Sequence, residues 1–312
     1  MQGREPFALS TFGSFTVAGR RAEVTGLPLR HVQLSRDLPA YPVDPNGTYA
    51  VDHAYVQHFV PEPVGHPPLV FVHGGGMAGT TWEGTPDGRE GWLQYFLRRG
   101  HPCYVVDNVE RGRAGWFPDP AGPTDGALLR TEQEVWDAFR IGPPEGYPAR
   151  ACHPGCLFPV EALEALARQQ VPRWTTTTPL AVGAVTALVE RVGRCRVVAH
   201  SQGGGIAVAA AAATPALVES LVLVEPHGLP DDGGPAGVRQ LLVSGDFLDR
   251  TPLYRQLRAQ WSAYVGGAAG PVEHLDLPAA GRAGNSHMPM MDTNSDAVAA
   301  MIAEWLGASV PA

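Results

Sequence analysis

Ala199-His200-Ser201-Gln202-Gly203 is the segment of this chain best suited to chemistry. It follows the apolar Val197-Val198 and leads into the small-residue run Gly203-Gly204-Gly205-Ile206-Ala207-Val208-Ala209-Ala210. That order predicts a strand, a sharp turn and a helix, with Ser201 at the apex. The arrangement is the nucleophile elbow, usually written G-x-S-x-G, with Ala199 here in the first small position and Gly203 in the last. The turn forces the serine into a strained backbone conformation that only small neighbours tolerate. The helix that follows aims its free N–H groups at the serine and favours negative charge there. The chemistry such a serine suits is acyl transfer.

A serine hydroxyl is a weak nucleophile at neutral pH. It needs a base, and the base needs an orienting carboxylate. The chain order expected for this strand–turn–helix is serine, acid, histidine. His200 adjoins Ser201 on the turn with its ring expected to point away, His73 precedes a glycine run, and His227 and His274 fall near strand ends. His287 is the candidate base, in the loop Gly284-Asn285-Ser286-His287-Met288-Pro289-Met290-Met291 ahead of the last helix. Two acids compete. Glu225 directly follows the strand-like Leu221-Val222-Leu223-Val224, and Asp246 follows Leu241-Leu242-Val243-Ser244-Gly245. The longer side chain of Glu225 and the turn set by Pro226 favour the first. The physical argument by itself leaves the two nearly even, with the loser expected to hydrogen-bond a loop backbone. Acyl transfer also needs donors for a tetrahedral oxyanion. In His73-Gly74-Gly75-Gly76-Met77 the glycines let backbone N–H groups approach a substrate oxygen closely. The Gly75 and Gln202 N–H groups are the expected pair. No Gly-Lys-Ser/Thr follows, so a phosphate loop is excluded.

Regular elements must position these groups. Phe15-Thr16-Val17, His31-Val32-Gln33-Leu34 and Tyr55-Val56-Gln57-His58-Phe59-Val60 alternate as antiparallel strands do. Leu69 to Val72, a helical stretch from Gly91 to Arg99 stopped by Gly100, and Cys103 to Val106 form a strand–helix–strand unit. From about Ala114 to about Thr178 the rhythm breaks into a Pro-, Gly- and Trp-rich stretch. It holds two helical pieces, Glu132 to Arg140 and Val160 to Ala167. A stretch of that length is no plain loop, and the expectation is a cap inserted over the active edge. Alternation then resumes. Helix Leu180 to Val192 precedes strand Cys195 to Ala199 and the elbow helix; strands Leu221 to Val224 and Gln240 to Val243 follow. Helix Pro252 to Tyr264, a strand near Val272 to Leu277 and helix Ser295 to Leu306 close the chain. The fold class is α/β, a mostly parallel doubly wound sheet in one domain, with function at the C-terminal ends of its strands.

The 312 residues, 44 % of them hydrophobic, are enough for one large domain with a sizeable core. Lys plus Arg is 23 against 31 Asp plus Glu, a net charge of −8 that argues against nucleic acid or an anionic membrane as partner. No apolar run is long enough for a membrane span. Met1 to Pro6 carry no apolar signal core, so the expected location is the cytoplasm. Assembly of copies into a homo-oligomer is left open. Cys103 and Cys195 read as buried thiols, and the Pro-Gly turn in Cys152-His153-Pro154-Gly155-Cys156 makes a loop disulfide a candidate. No set of residues has metal-ligand spacing, and neither metal nor cofactor is implied.

These elements together resemble the α/β-hydrolase superfamily from about Pro68 to the C-terminus. The strings Thr81-Trp82-Glu83-Gly84-Thr85-Pro86-Asp87-Gly88-Arg89, Gly91-Trp92, Arg111-Gly112-Arg113 and Asn285-Ser286-His287-Met288 further resemble a group of bacterial serine esterases. In that group the acid is a glutamate on the strand after the nucleophile. The resemblance therefore implies Ser201 as nucleophile, His287 as base and Glu225 rather than Asp246 as acid. Some relatives carry cysteines where this chain has Gly75-Gly76. The implied activity is hydrolysis of a small carboxylic ester through an acyl-enzyme. A pocket between the glycine loop and the cap is expected to be walled by Trp82, Trp116, Trp174 and Met288, with Phe117, Trp136 and Phe158 as further candidates. Such a wall suits an apolar or aromatic substrate. A lactonase with the same triad and a non-catalytic ligand-binding protein of this fold are the alternatives. A haloalkane dehalogenase would need aspartate in place of Ser201.

Overall fold

The computed structural model describes residues 6–117, 126–231, 234–267 and 270–308. The first five residues, and residues 118–125 of the expected cap, lie outside the described residues. Ten strands occur among the described residues: β1 (Ala8–Val24), β2 (Arg30–Val32), β3 (Tyr41–Val43), β4 (Gly47–Glu62), β5 (Leu69–Val72), β6 (Cys103–Asp107), β7 (Cys195–His200), β8 (Val218–Val224), β9 (Arg239–Ser244) and β10 (Val272–Asp276). The helices are α1 (Thr80–Glu83), α2 (Trp92–Leu97), α3 (Glu132–Ala138), α4 (Leu163–Ala167), α5 (Thr178–Val192), α6 (Gln202–Ala213), α7 (Pro252–Gly267) and α8 (Ser295–Gly307).

Eight strands form one sheet in the order β1-β4-β6-β5-β7-β8-β9-β10. The six from β6 to β10 run parallel, and β4 and β1 add antiparallel at one edge. Every residue of β5 is buried, as expected of a strand covered on both faces. Its period-two alternation divides the core. Leu69 and Phe71 join the layer that contains α2 and α8, while Val70 and Val72 join the layer that contains α5 and α6. After β5 the chain builds β6 on one side and β7 on the other. The winding therefore reverses between β5 and β7, and a doubly wound sheet opens its ligand crevice at that point.

Three local expectations are corrected. The antiparallel strand expected over His31 to Leu34 runs instead from Arg30 to Val32, and it pairs antiparallel with Tyr41–Val43 in a separate two-stranded ribbon. The helix expected over Val160 to Ala167 opens as a 3₁₀ turn, Val160–Ala162, and becomes α-helical at Leu163. Cys152 and Cys156 form no disulfide, and both thiols are free. Burial pushes the Cys156 thiol up to about 12.

Candidate active site

Ser201 stands between β7 and α6 with φ +53° and ψ −123°. This left-handed conformation is uncommon for a residue with a Cβ, and both neighbouring peptides hold it. The Ser201 N–H donates to the Val224 carbonyl at 3.0 Å, and the His227 N–H donates to the Ser201 carbonyl at 2.9 Å. Gly203 lets α6 start this close to the sheet. A Cβ there would lie 2.6 Å from the His73 carbonyl oxygen and 2.7 Å from that of Val72.

Two sequence-distant side chains form a line with the serine. His287 Nε2 lies 3.1 Å from Ser201 Oγ, and His287 Nδ1 lies 3.2 Å from Glu225 Oε2. With Nδ1–H donating to the carboxylate, Nε2 is left to accept the serine proton. The backbone of His287 is pinned on both sides: its N–H donates to the Phe139 carbonyl, and its carbonyl accepts from His200 Nε2, each at 2.9 Å. Its loop is tied to a buried carboxylate. Asp292 accepts from the Ser286 hydroxyl and N–H, each at 2.8 Å, and from Asn285 Nδ2 at 2.9 Å. Burial pushes the Asp292 carboxyl up to about 7. Burial likewise holds the His287 imidazole below its ordinary value, against the hydrogen bond to Glu225 that pulls it up. A neutral base results.

Glu225 directly follows β8 in a left-handed conformation, φ +50°, and is completely buried. Burial would raise its carboxyl, but the Arg140 guanidinium, aided by His287, holds it well below the usual carboxylate range. Arg140 donates through both terminal nitrogens, each at 2.8 Å, to the two carboxylate oxygens, a charge-assisted fork. The Gly245 N–H donates to Glu225 Oε1 as well. Arg140 itself is fully buried; its Nε donates to the Asp246 carbonyl at 2.7 Å, and the guanidinium lies 4.1 Å from the Tyr254 ring centroid. Sequence reasoning missed Arg140 and Asp292. The one available signal was an arginine within the apolar Phe139-Arg140-Ile141.

Asp246 does not meet His287. Its carboxylate accepts from the Phe247 and Gly284 N–H groups at 2.6 and 2.9 Å. It therefore braces the loop that carries the histidine. His73 braces the other loop: its Nδ1–H donates to the Gly74 carbonyl at 2.8 Å, and its Nε2 accepts from the Asn108 N–H at 3.1 Å. Burial lowers it to about 4, so it stays neutral as that acceptor requires. His227, near the His287 ring at 5.5 Å between centroids, is lowered to about 3 by burial and then by His287. His274 sits apart, 2.9 Å from the Ser244 hydroxyl.

The glycine loop abuts the elbow. A Cβ on Gly74 would lie 3.0 Å from Ser201 Cβ, and one on Gly75 would lie 2.8 Å from Gln202 Oε1. Gln202 opens α6, so its N–H precedes the helix's own ladder of hydrogen bonds. The expected aromatic wall is dispersed. Trp82 and Met288 are wholly buried in the core, as are Trp136 and Phe158, because their rings and thioether fill the layer beneath α2 and α8. Trp116 and Trp174 stack on each other, 5.5 Å apart and 18° from coplanar. Trp116 and Phe117 also line a cavity of about 800 Å³ under the β2–β3 ribbon, which shares no residue with the Ser201 cluster. Among the described residues no group of His, Cys, Asp and Glu is arranged to hold a metal. No helix there is long and apolar enough to cross a membrane.

The remaining shared strings are supports. Arg89 donates to the Met291 and Asp292 carbonyls at 3.2 and 3.1 Å, which fastens the end of the histidine loop. Arg113 Nε and the Gly79 N–H both donate to Asp107, at 2.8 and 2.6 Å, beneath the glycine loop.

No family model matches the chain. Over 195 residues it is 31 % identical to the probable secreted lipase phiG of Fungal sp., a match covering 60 % of this chain and 52 % of the lipase. The chain thus spans about half the length of that curated relative. A solved structure described as a novel bacterial esterase is 32 % identical, covers 98 % of both chains and superposes with a TM-score of 0.84. With that identity sustained along nearly its whole length, the chain belongs to the α/β-hydrolase superfamily, in its bacterial esterase group.

Proposed function

We propose that this protein is a serine hydrolase that cleaves a carboxylic ester of a small molecule through an acyl-enzyme. The observation that carries the reading is the continuous hydrogen-bonded line from Ser201 Oγ through His287 to Glu225. Ser201 Oγ attacks the ester carbonyl while its proton passes to His287 Nε2. Glu225 keeps the imidazole in the tautomer that accepts at Nε2, and it stabilises the imidazolium that forms. The N–H groups of Gly75 and Gln202 hold the tetrahedral oxyanion. As the intermediate collapses, the C–O bond to the leaving alcohol breaks and His287 returns the proton to that oxygen. A water deprotonated by the same nitrogen then attacks the acyl-serine, releasing the acid and restoring the hydroxyl.

We read the stretch from about 114 to 178 as a cap on the single domain. Its described part reaches both loops of the site: the Val171 N–H donates to the Gly76 carbonyl at 2.8 Å, and the Phe139 carbonyl holds His287. Trp116 and Trp174 are the aromatic surface this cap offers to a substrate.

The Ser201→Ala protein tests the proposal. Its circular dichroism and melting temperature should stay close to those of the parent, while ester turnover falls by about 10⁴-fold or more. Retained turnover contradicts the assignment. Tight binding of esters by the parent with no acid released would instead favour a ligand-binding protein.

A further inference from the structure

Among the described residues, two guanidinium groups beside the glycine loop make no ion pair. Arg173 projects onto the loop: its Nη1 lies 2.5 Å from the position a Cβ on Gly75 would take, and Gln202 Oε1 lies 2.8 Å from that same position. Arg173 is held there by its backbone, which pairs with Leu128 in both directions at 2.8 and 3.0 Å. Its buried Nε has no hydrogen-bond partner. Arg111 is only 4 % exposed. Its guanidinium reaches two carbonyls, those of Glu110 and Trp174, each at 3.3 Å, and lies 5.6 Å from the Trp174 ring centroid. It lines a small cavity together with Gly74 and Gln202. Among the described residues neither arginine makes an ion pair. Glu134, whose charge reaches Arg173, is bonded to Arg130, and Glu110, whose charge reaches Arg111, meets that guanidinium through its carbonyl.

A guanidinium drawn out of water without an ion-pair partner is costly, and one that a second guanidinium repels is costlier still. Burial first, and then the neighbouring Arg173 charge, draws Arg111 down to about 10. Burial lowers Arg173 as well. An anion placed against Arg173 relieves both. The guanidinium fork matches a carboxylate in shape, and its place beside Gly75 and Gln202 sets the anion next to the carbonyl under attack.

We propose that Arg173, with the Arg111 charge behind it, binds a carboxylate carried by the substrate, so that the preferred ester is a monoester of a dicarboxylic acid. This rests on the ester-hydrolase reading and narrows it. Trp174 and Trp116 flank the same corner and suit the apolar part of such a molecule. Arg173 is a specificity-determining residue in this scheme; the bond-breaking steps stay with the Ser201 cluster.

The test uses two esters of equal length, monoethyl glutarate and ethyl valerate, which differ by a carboxylate in place of a methyl. The parent protein should favour monoethyl glutarate in kcat/KM, chiefly through KM. In Arg173→Gln the ratio of the two kcat/KM values should fall by about tenfold or more, the loss expected for a hydrogen bond to a charged group. Arg173→Lys should recover part of the ratio, since it restores a point charge without the fork. Equal preference for the two esters in the parent, or a ratio unchanged in Arg173→Gln, overturns the proposal and leaves ester hydrolysis standing. A second readout needs no turnover. Glutarate should bind the Ser201→Ala protein, followed by calorimetry, about tenfold or more tightly than the Ser201→Ala protein that also carries Arg173→Gln. Equal binding by the two also overturns the proposal. If neither ester is cleaved, the ester-hydrolase reading fails while the glutarate measurement still decides on Arg173.

Discussion

Arg140 and Arg173 leave the same stretch of chain and reach different parts of the Ser201 cluster, Arg140 the Glu225 carboxylate and Arg173 the glycine loop, yet their surroundings differ in kind. Arg140 is sealed in the interior with both carboxylate oxygens of Glu225 in its fork. Arg173 is half-buried against a glycine loop; among the described residues it makes no ion pair and its buried Nε has no hydrogen-bond partner. A guanidinium whose charge is already answered inside the fold serves geometry: it keeps Glu225 ionised and aimed at His287. A guanidinium left unanswered beside a reactive centre is free to recognise a ligand. The contrast teaches that the partner of an arginine, more than its burial, separates a positioning role from a binding one.

The comparison breaks most sharply at Glu225. Glu225→Gln removes the charge that orients the imidazole and leaves Arg140 buried without a counter-ion. Turnover should fall by about 10³–10⁴-fold. Asp246→Asn should change turnover by less than about tenfold, because its contacts are to loop N–H groups and not to His287. Parallel kcat measurements check the pair, and a larger loss in Asp246→Asn would name Asp246 as the acid. Next in size, Arg140→Met strands the Glu225 carboxylate and should cost about 3–5 kcal/mol in a urea melt. It should also shift the acid limb of activity upward in pH.

The smallest effect is the pH dependence of the parent. His287 acts as a base only when neutral, and its folded value lies below 6.5. Ester turnover should therefore persist below pH 6.5 and decline only as the pH drops through that depressed value. Stability should follow the same direction. The Glu225 carboxyl is depressed on folding, so its contribution is complete above the ordinary value of 4.5 and is lost as pH falls below it. Melting temperatures taken from pH 5 down to pH 3 check the sign.

Much of the positioning scaffold was legible because it is periodic. The buried runs of β5 to β9, the glycine stop after α2 and the elbow each carry a local signal within a few residues. The juxtaposition of Ser201 and His287 was legible from motif and chain order. Which carboxylate meets His287 was not legible from spacing alone, since Glu225 and Asp246 both leave the ends of adjacent parallel strands. In the fold a left-handed turn at Glu225 and the fork of Arg140 separate them. Arg140 and Glu225 are 85 residues apart, and no local pattern links them. Trp82 and Met288 show the same limit from another side. Their composition suits a pocket wall, but side-chain type does not tell a pocket from the core that buries them. Alternation marked an antiparallel strand near His31, but not that its partner is Tyr41–Val43 in a ribbon apart from the main sheet.

The central claim is that Ser201 is the activated nucleophile, and covalent labelling reads it directly. Intact protein treated with a fluorophosphonate near neutral pH should gain one adduct by mass, mapped by peptide sequencing to Ser201. The adduct should be lost in Ser201→Ala and slowed strongly in Glu225→Gln. An adduct on another residue, or an unlabelled protein that still hydrolyses esters, would contradict the account.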